Sequence, residues 1–558
     1  MTANPESDLV FVPLGGSSEI GMNLNLYGYL GKWLMVDLGV SFAGDGLPGI
    51  DLIFPDISFI EARKKNLLGI ILTHGHEDHI GALAHLWPRL GNPPVFATPF
   101  TAELVMGKLE EAGLLGEVDL RIVKDGGPIE LGPFTVRYVP LAHSIAEGNG
   151  LLITTPKGVI FHTGDWKLDP DTSIADPATE ETLKSIGKKG VLAMIGDSTN
   201  VFNKHASGTE KSVKGPLLDL VEKQQGRVVV TTFASNVERV ESIGEIAARA
   251  GRHLVIMGRS MKRVIGAAKK CGYLKNFPPI LSEADAGHLP RNKVLILCTG
   301  CQGEFRAALN GLAEDINKNI GLSAGDTVIF SSKMIPGNER GIARLVNKLV
   351  LRDIHVVTEK DDNIHVSGHP GEPELIKMFD WIRPKIAIPV HGEARHIEAH
   401  AKLAKTLQVP FVFRPENGTM IKLAPGDPEV VDKVPTGYSV LDGTRLLALS
   451  SNTLSERRRM MENGALMISL CYTTGGDLIG PPVIQPFGLL CHDNDKELKL
   501  DLYTLIMDKI SGWKPAIPAS AEVREEDLRL AVLKLFRHET GKRPLISVRI
   551  TGLLKDGP

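Results

Sequence analysis

The chain is poor in cysteine, in aromatic residues, in excess charge of either sign and in long apolar runs, and each scarcity removes a class of protein. Five cysteines in 558 residues are too few, and odd in number, for a disulfide framework, so a reducing compartment is expected. The longest apolar stretches, such as Ala465 to Cys471, fall far short of the roughly 20 residues needed to cross a bilayer, and no membrane partner is expected. The amino end, Met1 to Asp8, is polar and has neither the basic start nor the apolar run of a cleavable leader. A cytoplasmic location is the expectation. Lys and Arg number 63 against 66 Asp and Glu, a net charge of −3, with a pI near 6.6. No global positive field draws a polyanion, so a ligand of that kind has to be met by a local groove.

What is present reads as a folded, multidomain chain: 43% hydrophobic and 23% charged residues sit near the globular average, and roughly 150 residues per domain gives three to four domains. From Leu9 to Thr154 short apolar runs closed by Gly or Asp (Trp33 to Asp37, Gly69 to Thr73, Val95 to Ala97, Phe134 to Val139) alternate with helical segments such as Ala102 to Ala112. That pattern predicts a layered α/β domain. From about Phe202 five strand-like runs (Arg227 to Thr232, His253 to Met257, Lys293 to Cys298, Thr327 to Ser331, His355 to Thr358) alternate with helical or Gly-rich stretches, as in a parallel sheet of βαβ units. The first rhythm resumes with Lys385 to Val390, so the second domain is an insertion in the first. Ala424 to Gly443 reads as a connection. Leu528, Ala531, Val532, Leu535 and Phe536 fall on one helical face before Gly541 and the strand-like run Leu545 to Ile550, which predicts a small α/β tail domain.

Seventeen histidines are informative because they cluster. Thr73-His74-Gly75-His76-Glu77-Asp78-His79 follows a buried-looking strand and precedes a predicted helix, Ala82 to Arg89. In an extended loop His74 and His76 point the same way and hold one metal, while Asp78 and His79 turn toward a second. Imidazole and carboxylate ligands without cysteine suit Zn²⁺, with Mn²⁺ as the alternative. Two catalytic cations need more ligands, and three strand ends offer them: His143 after Phe134 to Pro140, His162 or Asp165 in Phe161-His162-Thr163-Gly164-Asp165, and His391 in Val390-His391-Gly392-Glu393. Asp37, closing a strand, is either a turn residue or an orienting carboxylate.

The order His-x-His-x-Asp-His, then a histidine, an aspartate after Thr-Gly, and a late histidine, resembles the metallo-β-lactamase fold. By that resemblance His74, His76 and His143 hold the first metal, Asp78, His79 and His391 the second, and Asp165 bridges. The insertion adds Ile195 to Asn200, His365-Val366-Ser367-Gly368-His369-Pro370 and Pro389 to Glu393, which resemble the three motifs of the β-CASP nucleases in the wording of the bacterial ribonuclease J family. Thr232 to Asn236, Thr299 to Glu304 and Ser331 to Glu339 support the likeness. The implied fold is an αββα metallo-β-lactamase sandwich (residues 1–201 and 365–445) with an inserted parallel-sheet β-CASP domain (202–364), a linker (446–458) and a C-terminal α/β domain (459–558).

The resemblance implies a two-metal ribonuclease acting on single-stranded RNA, combining 5′-to-3′ exonuclease action that prefers a 5′-monophosphate with endonuclease cleavage, in mRNA decay and rRNA maturation. Asp197 is then the proton donor and His369 its partner, with the proton's residence on one or the other left open. His365, Val366, Ser367, Gly368 and His369 hold substrate phosphate, joined by Ser235 and Ser332. A homodimer or homotetramer joined through the tail, and a place in an RNA-degradation complex, are also implied. Other readings are a silent RNA-binding scaffold subunit of such a complex, or a DNA nuclease or other hydrolase of the same fold. Arg239, Arg249, Arg252, Arg259, Lys262, Arg263, Lys269 and Lys270 outnumber nearby acids and would line a groove, half of them in other cases being solvated helix faces. Few aromatics leave backbone charge to dominate affinity. Glu456 to Arg459 reads as an exposed helix face before an RNA contact, and Cys298 and Cys301 as buried thiols. Asp51 and Asp442 would share a structural cation or else be turn residues, the preferred reading. The chain departs from the family wording at Ala146-Glu147, where Pro-Asp is usual, and at Ala394, where an aromatic is usual.

Overall fold

The computed structural model describes residues 7–44, 46–124, 126–174, 176–335, 337–473, 477–490, 495–513 and 521–552. Pro336 and Cys491 fall outside the described residues. The chain forms two compact units: Met1–Ser41 with Phe54–Gly437, and Phe42–Ile53 with Tyr438–Pro558.

The first unit is built on two facing sheets. One has eight strands in the order Glu429–Lys433, Thr419–Ala424, Leu9–Gly15, Leu24–Tyr29, Lys32–Val36, Leu67–Ile71, Val95–Ala97, Leu120–Ile122. The other has seven: Ile129–Leu131, Phe134–Pro140, Asn149–Thr155, Gly158–His162, Ala193–Asp197, Ile386–Val390, Phe411–Val412. Alternation along each strand decides which side chains meet between the sheets. Leu34 and Val36 join Phe11, Tyr27, Phe134, Val136, Ile153, Ile195 and Ile388 in the inter-sheet core. Trp33 faces outward and meets Phe59 edge-on at 5.3 Å. On the far side of the seven-stranded sheet, Leu183 of Glu180–Lys188, Leu375 and Phe379 of Glu372–Ile382 and Ala404 of Ala394–Thr406 cover Phe161, Met194 and Ala387. Burying such side chains contributes about 1.5–3 kcal/mol each, and it fixes the sheet whose strand ends carry the chemistry.

Ala193–Asp197 and Ile386–Val390 lie side by side in parallel, Asp197 opposite Val390. Between them the chain leaves the sandwich and builds a six-stranded sheet in the order Ile280–Leu281, His253–Met257, Val294–Cys298, Val228–Thr231, Thr327–Phe330, His355–Val357. Every pairing in it is parallel. Its inner strands Val228–Thr231, Val294–Cys298 and Thr327–Phe330 are buried on both faces, which explains the continuous apolar runs seen in the sequence. Thr209 and Asn236 cap the helices Glu210–Glu222 and Val237–Arg249 by accepting from Ser212 N and Arg239 N. This is the expected α/β architecture: a two-sheet sandwich, an inserted parallel-sheet lobe and a separate C-terminal α/β unit.

In the second unit Ala465–Tyr472 lies between Val483–Phe487 (antiparallel) and Leu545–Gly552 (parallel). The helices Lys496–Ser511 and Ala521–Thr540 bury Leu502, Ile506, Leu528, Val532 and Phe536 against Leu466, Ile468 and Val548. The amphipathic spacing around Leu528 reads this packing correctly.

Several expectations differ from the structure in instructive ways. The helix expected at Ala82 to Arg89 is one short α-helix, Leu83–Leu86, that passes into a 3₁₀ turn, Trp87–Leu90, because Pro88 cannot continue an α-helix; a separate turn of helix, Glu77–Ile80, precedes it. The connection Ala424 to Gly443 contains Glu429–Lys433, an edge strand paired with Thr419–Ala424. The stretch 446–458, expected as a linker, begins in the strand Arg445–Ala448 and runs into the helix Asn452–Asn463. Tyr438–Asp442 belongs to the second unit, since Val440 and Leu454 bury against Ile50 from an early excursion of the chain.

Candidate metal centre

The loop after Leu67–Ile71 carries Thr73 to His76, and the short helix Glu77–Ile80 carries Asp78 and His79. The ends of Phe134–Pro140, Gly158–His162, Ala193–Asp197 and Ile386–Val390 deliver His143, Asp165, Asp197 and His391 to the same place. Three overlapping groups result, each with ligand atoms within 4.8 Å of one another: His74, His76, His143 and Asp165; Asp78, His79, Asp165 and His391; Asp165, Asp197, His369 and His391. Asp165 belongs to all three. Its Oδ2 is 3.2 Å from His79 Nε2 and 3.3 Å from His391 Nε2, and 3.8 Å from both His74 Nε2 and His143 Nε2. His162 turns away: its Nδ1 meets the Tyr27 hydroxyl at 2.8 Å.

The outer ring atoms fix which nitrogens face inward. His79 Nδ1 lies 2.7 Å from Asp37 Oδ2 and His143 Nδ1 2.6 Å from the Gly368 carbonyl. Both oxygens only accept, so each Nδ1 carries the hydrogen and each Nε2 presents a lone pair inward. Thr73 Oγ1 donates to Asp37 Oδ2 at 2.9 Å, which leaves it accepting from His74 Nδ1 at 3.0 Å; His74 Nε2 is thereby bare as well. His76 Nδ1 then faces His74 Nε2 at 3.0 Å and His143 Nε2 at 3.1 Å. A tetrahedral ion with bonds of about 2.0–2.1 Å places its nitrogens roughly 3.3 Å apart. Converging lone pairs at that spacing fit a divalent cation, and Asp78, His79, His391 and Asp165 fit a second.

Close packing holds these residues. A Cβ on Gly39 would lie 1.7 Å from the Asp78 carbonyl, and one on Gly368 2.6 Å from Ser144 Oγ. Asp37 adopts φ 62°, a left-handed turn that aims its carboxylate at both Thr73 N (2.8 Å) and His79. Among the protein's own charges, burial pushes His74 and His143 well below the ordinary histidine range, and His76 to about 4. His79 and His391 are also buried, but Asp165 and Asp78 overcome that and raise them.

Beside the cluster, His369 Nδ1 meets Asp197 Oδ2 at 2.8 Å while Asp197 Oδ1 accepts from Thr199 N at 2.9 Å. Ser367 Oγ accepts from His369 N at 3.0 Å. Val366 is buried against Gly208, where a Cβ would lie 2.9 Å from its Cγ1. His365 has a buried Nδ1 without a hydrogen-bond partner among the described residues. Burial, then the charges of Arg239 and Lys333, take its pKa down to about 3. Ser235 Oγ lies 3.0 Å from His76 Nε2, and Ser332 is buried.

Other expectations are corrected. Arg239 and Arg252 do not line a groove: both are buried, Arg239 on Glu210, Ser331 and the Ile364 carbonyl, Arg252 on the carbonyls of Gly226 and Val294. Lys262, Arg263 and Lys270 pair with Glu283, Glu111 and Glu103. Sequence counts charge but not its partners. Asp442 shares no cation with Asp51, because Arg457 takes both its oxygens at 2.7 Å. Cys298 and Cys301 are buried free thiols, and burial pushes Cys301 up to about 12. Sequence reasoning missed Asn23, whose Nδ2 lies 3.0 Å from His79 Nε2 and 3.2 Å from the Asp78 carbonyl; only its place in a Gly-rich stretch between strands hinted at it. It also missed the Ser198–His400 contact at 2.9 Å behind the strand ends.

Comparison with known proteins places four family models on the chain: a beta-lactamase superfamily domain at 45–182, the ribonuclease J beta-CASP domain at 225–349, a Zn-dependent metallo-hydrolase RNA specificity domain at 353–412, and the ribonuclease J C-terminal domain at 452–553. Ribonuclease J of Sinorhizobium meliloti is 42% identical over 98% of both chains. Ribonuclease J of Thermus thermophilus is 32% identical over 97% of this chain and 95% of its own. A crystal structure of a protein of unknown function from Enterococcus faecalis matches in fold, with a TM-score of 0.51 and 16% identity over 75% of this chain and all of that one.

Proposed function

The chain belongs to the ribonuclease J family, and from that premise we propose that it hydrolyses phosphodiester bonds of single-stranded RNA at a two-cation centre. The reading extends to 5′-to-3′ exonuclease action from 5′-monophosphate ends with additional endonuclease cleavage, in cytoplasmic mRNA decay and rRNA maturation. Zn²⁺ is the favoured ion and Mn²⁺ the alternative. Among the described residues no helix is long and apolar enough to cross a membrane. Assembly as a homodimer or homotetramer, within an RNA-degradation complex, is part of the same reading.

The observation that carries it is the sharing of one Asp165 oxygen between two ligand groups, with the Asp197–His369 pair at their edge. His74, His76, His143, Asp78, His79, His391 and bridging Asp165 would hold the cations. When bound, the cations supply Lewis acidity and an acidified water for attack on phosphorus. The chain's own groups do the rest. Asp197 accepts from Thr199 N and meets His369 Nδ1; burial opposes a charge on His369, but Asp197, Asp165 and Asp78 raise its pKa to about 9, so in this reading the proton of the pair, expected on Asp197, resides on His369 and is available to the leaving 3′-oxygen. The turns carrying Ser235, Ser332 and His365 to Gly368 bind phosphate, and Ser235 brings its turn against His76. A 5′-phosphate anchored there sets which bond lies over Asp165.

The test combines metal analysis with cleavage of a 5′-phosphorylated, 3′-labelled RNA by the wild type, Asp78→Ala and His369→Ala. Asp78→Ala should lose bound metal, and His369→Ala should retain it while losing on the order of 10²–10⁴-fold in kcat. Cleavage retained by both variants overturns the assignment.

A further inference from the structure

A phenylalanine in the inserted lobe stands where a folded chain has no packing use for it. Phe305 is 77% exposed, although a ring is among the most favourable groups to bury. Its loop is nevertheless firmly built. Gln302 Nε2 donates to the Lys333 carbonyl at 2.8 Å, and Gln302 Oε1 accepts from Ile335 N at 2.9 Å and Asn338 Nδ2 at 3.2 Å. Asn310 Nδ2 donates to the Phe305 carbonyl at 3.0 Å. Gly303, at φ 76°, sits so close to Gly341 that a Cβ would lie 2.4 Å from its backbone. The main chain is held and the ring is left in solvent.

The location gives the exposure a meaning. The Phe305 loop follows Val294–Cys298 and the Lys333 loop follows Thr327–Phe330, the two strands flanking Val228–Thr231. All three loops leave the same, carboxyl end of a parallel sheet, and the middle one carries Ser235 to His76. Exposed Met334 and Ile335 continue the apolar surface. Lys333 is an exposed cation on the neighbouring loop, while Glu304 is turned onto its own loop at Gln302 N. An exposed aromatic ring on a held main chain, with a cation on the next loop and on the same sheet end as the turns assigned to phosphate, matches a nucleobase on an anionic backbone.

We propose that Phe305 is a stacking platform for one base of the single-stranded RNA substrate, gripped where the strand passes the lobe on its way to the metal centre. The proposal rests on the ribonuclease reading and adds to it a base subsite remote from the reacting bond. It therefore affects binding and leaves the chemical step alone. The ring contributes a sequence-tolerant contact, since every base has a face to stack.

The test reads binding without turnover. A short 5′-monophosphorylated oligoribonucleotide, and versions with an abasic ribose at successive positions, are titrated in EDTA against wild type, Phe305→Ala and Phe305→Trp by fluorescence anisotropy. In the wild type one position should be sensitive, its abasic version binding on the order of 10-fold more weakly, as expected for one lost base–aromatic stack. Phe305→Ala should bind the intact strand more weakly by a similar factor and show no sensitive position; Phe305→Trp should keep both properties. With metal restored, Phe305→Ala should raise KM for the RNA by a similar factor. An intact-strand Kd that Phe305→Ala leaves unchanged, alongside normal cleavage, sinks the platform alone. RNA bound in a Phe305-dependent way but never cleaved sinks the nuclease reading alone, and RNA not bound by the wild type sinks both.

Discussion

At the scale of single residues, Asp37 shows how much of a metal centre lies outside its ligands. It orients His79 through Nδ1 and, through Thr73, His74 as well. Asn at this position keeps the left-handed backbone and removes one accepting oxygen and the charge. Asp37→Asn should therefore weaken cation affinity by about 10–100-fold, measured by competition with a chromophoric chelator; unchanged affinity would show that the ligands orient themselves. His369 makes a second prediction. In the metal-free protein burial opposes its charge, but Asp197, Asp165 and Asp78 carry its pKa up to about 9. Asp165 and Asp78 also raise His79 and His391 against the opposing effect of burial. A histidine whose folded pKa exceeds its unfolded value of about 6.5 contributes stability that is complete below that pH and lost as pH rises through the folded value. The metal-free melting temperature should fall between about pH 6.5 and 9, and His369→Gln should make that slope shallower. An identical slope in the variant would place the proton elsewhere.

At the scale of elements, the lobe is attached to the sandwich by buried charge. Glu374 accepts from Leu168 N, Ser207 N, Ser207 Oγ and Gly371 N, tying the helix after the His365–His369 loop to the segment after Asp165. Arg239 and Glu210, both buried, pair at 2.8 Å, and Arg239 also holds Ser331 and the Ile364 carbonyl behind that loop. Arg239→Met leaves Glu210 buried and unpaired and should cost about 3–5 kcal/mol, read by urea denaturation. Adding Glu210→Leu should return much of that loss; no recovery would mean that the carbonyl contacts, not the pair, carry the stability. The Ala146-Glu147 departure has a structural role. Glu147, at φ 59°, accepts from Phe100 N at 2.8 Å and from the Tyr273 hydroxyl at 3.0 Å, so the loop beyond His143 is fastened to the inserted lobe.

At the scale of the whole molecule, all seven expected ligands lie in the first unit, while the tail has its own core. Removal of the chain from Tyr438 onward should leave cation stoichiometry unchanged and reduce the native mass to that of a monomer. Sizing by light scattering checks it, and an unchanged oligomer would assign assembly to the first unit.

The sequence by itself marked the histidines and aspartates that the structure brings together, because three histidines and an aspartate within six positions, with further imidazoles and carboxylates at strand ends, rarely arise from packing or turn formation. It also determined the parallel lobe, whose two-sided burial demands unbroken apolar runs at Val228–Thr231, Val294–Cys298 and Thr327–Phe330. Only the tertiary structure decided between His162 and Asp165 as the residue facing the cluster, buried the arginines that looked like a groove, paired Asp442 with Arg457, and joined Ile50 to Val440. Those outcomes depend on which groups meet across long stretches of chain. Composition and periodicity report each segment's own preferences, whereas a charge or a ring acquires its role from the partner that folding places within a few ångströms of it.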